Sequence, residues 1–189
     1  LEGYMTHEDP HTPIQNRYVE SLVRTIMESL DLIFASPHDY QARATMMWAA
    51  TLAWNGLAPA GIGPWCTPNH FIGHSMSALY DTPHGASLSI AMPSWMTWKA
   101  KQNPKQLARL AREVFDIIED DDAVAARLGI EHFEAWCEKV GSPVCFSQAN
   151  IPLDAAEAIA ENAAAVRDHW GLPDYTKDVL LHIMQPMIR

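Results

Sequence analysis

The chain has 189 residues, 48% of them hydrophobic, which is enough for one compact domain with a real core and no covalent staples. Its formal net charge is -10 and its 13 Lys and Arg never gather into a run, which argues against a nucleic-acid binder or a binder of anionic membranes. No stretch approaches the roughly 18 uninterrupted apolar residues of a membrane span.

The opening LEGYMTHEDPHTP is polar and acidic and lacks the pattern of an export signal, so the expectation is a soluble, non-exported, cytoplasmic protein. Ala occurs 26 times against 8 Val, and long windows repeat at the helical period, predicting helices throughout and no strand. The first helix is expected over Pro13 to Phe34, with Val19, Leu22, Val23, Ile26, Leu30, Ile33 and Phe34 on its apolar face. The second, Asp39 to Gly56, contains MMWAATLAW and is apolar nearly all round, which predicts burial in the middle of a bundle.

A Gly- and Pro-rich crossing, APAGIGPWCTP, leads into NHFIGHSMSALYDTPHGASLSIAMPSWMTW, the most unusual segment of the chain. Helices are then expected over Pro104 to Ile118 and through AVAARLGIEHFEAWCEKV to a stop at Gly141. Asp154 is placed as N-cap of AAEAIAENAAAVRDHW, which Gly171 and Pro173 end, and a last helix starts near Tyr175. Seven or eight helices with short connections make an all-α, multi-helix bundle forming a single domain over residues 1–189. Cys66, Cys137 and Cys145 are odd in number and form no C-x-x-C pair, so no disulfide framework is expected.

Of nine His, only His70, His74 and His84 form a constellation. His70 and His74 are four apart and share a helix face. His84 is fourteen residues after His70, about 21 Å along an unbroken helix, too far to share a metal with nitrogen bonds near 2.0–2.1 Å. Thr82-Pro83 supplies a break, with Thr82 as candidate N-cap, and a reversal at Asp81 to Pro83 would return His84 toward His70. Gly73 and Gly85, each beside a His, leave room for close approach. On spacing alone a metal role for His70 and His84 weighs about evenly against ordinary packing histidines. Phe71 breaks the H-E-x-x-H pattern, Cys66 or Asp81 remain as alternative partners in a local zinc site, and no phosphate-binding glycine loop is present.

The segment HFIGHSMSALYDTPHGASLSIAMP, with its H-x-x-x-H-x-x-x-A followed by H-G, resembles the second metal-binding motif of the iron-containing (group III) alcohol dehydrogenases. The likeness is to the branch of butanol dehydrogenases and NADPH-dependent aldehyde reductases, and the preceding ARATMMWAATLAWNGL and the later helical order extend it over essentially the whole chain. The resemblance implies the C-terminal helical domain of such an enzyme, which uses a divalent metal, Fe2+ before Zn2+, and NAD(P). It implies that His70 and His84 are two of four metal ligands and that His74 is a nearby non-ligand histidine serving proton relay or the positioning of nicotinamide and substrate.

The other two ligands, an Asp and a His, are expected just before LEGYMTHEDPHTPIQNRYVE, with Glu2 and Tyr4 close behind them, and so ahead of Leu1. The nucleotide-binding domain is expected there too, so the 189 residues read as part of a longer protein. The expected function is metal-assisted hydride transfer between a small alcohol or aldehyde and nicotinamide, with little activity in this chain alone. A homo-oligomer is compatible with the seven Trp and nine Met. The competing reading is a structural or interaction module that keeps the fold without catalysis.

Overall fold

The computed structural model describes residues 1–8 and 11–189. Among them are nine α-helices and no strand: α1 (Glu2–Thr6), α2 (Pro13–Ala35), α3 (Tyr40–Ala53), α4 (Pro68–Tyr80), α5 (His84–Ala100), α6 (Lys105–Phe115), α7 (Asp122–Lys139), α8 (Ala156–Val166) and α9 (Lys177–Met184). None is long and apolar enough to cross a membrane among the described residues.

The spine of the bundle is α5, which packs against α4, α6, α7 and α9 and sinks Ile90, Ala91, Trp95 and Met96 into the core. Trp95 keeps its indole N–H satisfied inside by donating to the Tyr175 hydroxyl at 2.9 Å, as a buried indole must. Pro93 sits inside this helix, where the proline removes one donor. Helix α6 is the most cleanly two-sided: Leu107, Ala108, Leu110, Ala111 and Val114 face inward. It lies so close to α7 that a Cβ on Gly129 would stand 2.6 Å from Ala111 Cβ, which only glycine avoids.

Several expectations need correction. Helix α3 lies at the edge of the bundle, burying only Ala42 and Ala49, while Met47 is 73% and Trp48 64% exposed. Its polar residues Gln41, Arg43, Thr45 and Thr51 are exposed but too few to cover the outward side, so Met47 and Trp48 stay uncovered among the described residues. Phe34, expected inside, is 60% exposed because it stands in the last turn of α2, beyond the reach of the core.

Asp154 does not cap α8: the helix starts at Ala156 behind Ala155 with no side-chain cap, and residues 152–155 form a turn instead. The same helix ends at Val166, so the stretch before Gly171 is turn rather than helix. Helix α9 gives way to a short 3₁₀ turn, Gln185–Met187, where Pro186 stops α-helical bonding. Helix α1 was not anticipated, since five residues are too few to display a period. The three cysteines are all free thiols.

Candidate metal centre

Helix α4 carries His70 in its first turn and His74 one turn later, and ends at Asp81, whose left-handed φ of 51° turns the chain sharply. Pro83, with φ of -53°, is the N-cap of α5, and His84 is that helix's first residue. Thr82 was expected to supply the cap, but it makes no capping bond and its hydroxyl is buried without a partner. The three-residue corner folds α5 back along α4.

Close approach of the two helices is permitted by Gly73. A Cβ there would lie 2.7 Å from Ser87 Oγ, and Ser87 is itself buried and donates to the His84 carbonyl at 2.8 Å. As a result the His70 and His84 ring centres are 5.2 Å apart, His74 and His84 5.4 Å, and His70 and His74 6.2 Å. Two imidazoles on one tetrahedral cation, with metal–nitrogen bonds of about 2.0–2.1 Å, have centroids roughly 5 Å apart. The His70–His84 spacing meets that distance.

Two tryptophan rings frame the cluster. Trp54 stacks on His70 at 6.3 Å and Trp170 stands edge-on to His74 at 4.9 Å. A cavity of about 280 Å³ opens beside His70, with Trp54, Trp65, Tyr4 and Val19 among its apolar walls and Glu2 and His70 as polar groups. His74 has its pKa lowered, first by desolvation and then by the positive charge that His84 and His70 would carry, with Glu2 opposing.

Glu2 is the participant that the residue pattern did not reveal. It is 4% exposed, its Oε2 lies against His70 Nδ1, and its Oε1 accepts the Asn69 backbone N–H. Helix α1 is fixed in turn by a buried network in which Tyr4 donates to Glu20 at 2.8 Å and Arg109 donates to the same carboxylate through Nε and Nη2. Burial and Glu20 together push the Tyr4 phenol well above its ordinary range, so it stays a donor.

Cys66 sits just ahead of α4, its backbone N–H and carbonyl both bonded to the Thr6 hydroxyl. Burial pushes its thiol up, away from the thiolate that binds metal. Among the described residues no three His, Cys, Asp or Glu side chains form a group able to hold a metal ion, so neither Cys66 nor Asp81 completes a local zinc site. The donors that do converge, two imidazoles suited to a borderline divalent cation, fit a partial ligand set.

Residues 1–185 match the sequence profile of the Fe-containing alcohol dehydrogenase family, C-terminal. The chain belongs to this family. Like it is the probable NADH-dependent butanol dehydrogenase 1 of Bacillus subtilis (strain 168), 32% identical over 189 residues covering 98% of this chain and 48% of that protein. The NADPH-dependent aldehyde reductase YqhD of Escherichia coli (strain K12) is 32% identical over 162 residues, 84% of this chain and 41% of the relative. The crystal structure of the NADH-dependent butanol dehydrogenase A of Thermotoga maritima superposes with a TM-score of 0.89 at 30% identity, over 99% of this chain and 50% of that one. This C-terminal member of the iron-containing alcohol dehydrogenases thus spans about half the length of the relatives it matches.

Proposed function

We propose that this chain is the metal-binding helical half of an NAD(P)-dependent alcohol dehydrogenase or aldehyde reductase. The observation that carries the reading is the gathering of His70, His74 and His84 within 5.2–6.2 Å at the α4–α5 corner of a chain in this family. His70 and His84 would hold a divalent cation; imidazole donors suit both Fe2+ and Zn2+, and membership of the Fe-containing family puts Fe2+ first. The cation, when bound, would supply a Lewis acid for the substrate oxygen, and NAD(P) would supply the hydride donor or acceptor.

The residues of this chain prepare that step. His84 is exposed at the mouth of the cluster and His70 is half-buried behind it, so one side of the site is open to a small alcohol or aldehyde. His74 is exposed, and its lowered pKa leaves it neutral near pH 7, able to take the hydroxyl proton and pass it to water. Trp54 and Trp170 flank the imidazoles with apolar surface. The length of the relatives leaves room for the remaining contributions: an Asp and a His as further ligands, and a nucleotide-binding domain for NAD(P).

Metal analysis of the chain and of His70→Ala and His84→Ala tests the reading. Bound Fe2+ or Zn2+ that falls in both variants supports it, and content unchanged in both overturns it. Turnover of alcohol by the 189-residue chain with added metal and NAD(P)H or NAD(P)+ is expected to be absent or nearly so, because two protein ligands leave the cation weakly held.

A further inference from the structure

We propose that Glu2 is a positioning residue for His70: its carboxylate accepts the Nδ1 proton, fixes the neutral ring in one tautomer, and leaves the Nε2 lone pair free to face a cation. The inference rests on the reading that His70 is a metal ligand and names the group that prepares it.

An ionised carboxylate can only accept, so the ring nitrogen against Glu2 Oε2 must carry the proton. The neutral imidazole has one proton to place, and with Nδ1 protonated Nε2 is the basic nitrogen. The other oxygen of Glu2 is equally committed. Thr67, the N-cap of α4, gives no side-chain bond, and Pro68 at the first position has no N–H, so Asn69 offers the first orphan backbone donor. Glu2 Oε1 accepts it from 67 residues away in sequence. One carboxylate therefore ties the start of α4 to the ring it carries, and the angle of His70 is set by the helix end rather than by a free rotor.

The support beneath Glu2 is rigid. Its helix is held by Tyr4 on Glu20, by Glu20 on Arg109, and by Thr6 donating to the Cys66 carbonyl at 2.9 Å. Neither His74 nor His84 takes a carboxylate partner by hydrogen bond among the described residues, so the arrangement is particular to His70 and is not a general feature of the cluster. Partners of this kind, hydrogen-bonded to the far nitrogen of a ligating His, characteristically set tautomer and ligand basicity, and their loss costs about 10–100-fold in metal affinity.

The test uses the full 189-residue chain, free of metal, with long-range 1H–15N correlation at a pH where the imidazoles are neutral. His70 is expected in the Nδ1–H form. In Glu2→Gln the amide oxygen keeps the Asn69 N–H while the amide NH2 faces the ring, so His70 is expected to switch to Nε2–H. Titration with Co2+ should then show affinity lower by about 10–100-fold than in the unaltered chain.

A purely structural Glu2 would lower the unfolding temperature of Glu2→Gln and leave both tautomer and Co2+ affinity of the folded protein alone, which overturns the proposal. If that variant does not fold, the unaltered chain still decides: His70 in the Nε2–H form overturns it. His70 in the Nδ1–H form with no Co2+ uptake by the unaltered chain supports the role of Glu2 and overturns the metal reading instead.

Discussion

Replacing Gly73 with Ala builds a methyl group 2.7 Å from Ser87 Oγ, 3.3 Å from Leu88 Cδ2 and 3.4 Å from Ser87 Cβ. Ser87 is fully buried and its hydroxyl is engaged by the His84 carbonyl, so the clash is relieved only by breaking that bond or by parting α4 from α5. Overpacking of this kind costs about 1–3 kcal/mol. Loss of the hydroxyl bond adds about 1 kcal/mol, and Ala in place of Gly inside a helix returns about 0.5–1 kcal/mol. The net expectation is a loss of about 2 kcal/mol, or roughly 4–8 °C in Tm for a domain of this size.

Denaturant and thermal unfolding of Gly73→Ala, Ser87→Ala and the double variant close the cycle. Without Oγ the new methyl meets nothing nearer than 3.3 Å, so the double variant should recover most of the loss and the two changes should be strongly non-additive. Gly73→Ala as stable as the unaltered chain, or additive with Ser87→Ala, would refute the claim that this contact sets the spacing of His70 and His84.

Gly129→Ala should cost a further about 1–3 kcal/mol by driving α7 off α6, and Ala111→Gly should rescue it only in part, since Ala111 Cα remains at 3.1 Å. Glu20→Ala leaves the Tyr4 hydroxyl and the Arg109 guanidinium without their shared acceptor and should lower stability by about 2 kcal/mol, read by urea unfolding. For the metal-free chain, the lowered pKa of His74 means the folded state binds fewer protons than the unfolded one below the ordinary value of about 6.5. That stability is therefore present above about pH 6.5 and lost as pH falls through the folded pKa, and His74→Asn should flatten this part of the pH–stability curve. A difference curve that is level between neutral and mildly acid pH would contradict the assigned desolvation of His74.

Long elements with one apolar face were legible in the sequence, because their period survives any tertiary arrangement. Helix α2 begins at Pro13 as its first-turn proline dictates, and α7 stops two residues before Gly141, whose φ of 76° suits glycine alone. The return of His84 to His70 was legible as well, since Pro83 disfavours α geometry at Thr82 and opens a new helix after it.

What escaped depends on relations between distant segments. MMWAATLAW carries no polar stripe, so nothing local distinguishes a helix at the centre from one at the edge, and α3 was misplaced. Asp154 and Thr82 have cap chemistry, yet a cap forms only if the backbone starts its helix one residue on, and both helices start two residues on. Glu2 shows no pattern of its own, and its partners Asn69 and His70 are 67 and 68 residues away.

Whether His70 and His84 share one cation is tested most directly by anomalous diffraction from crystals of the protein loaded with Fe2+ or Zn2+, collected at the metal edge. One peak is expected between His70 and His84, about 2.0–2.1 Å from a nitrogen of each ring. A peak bound to only one of them, or a metal seated elsewhere while both imidazoles stay unligated, would contradict it.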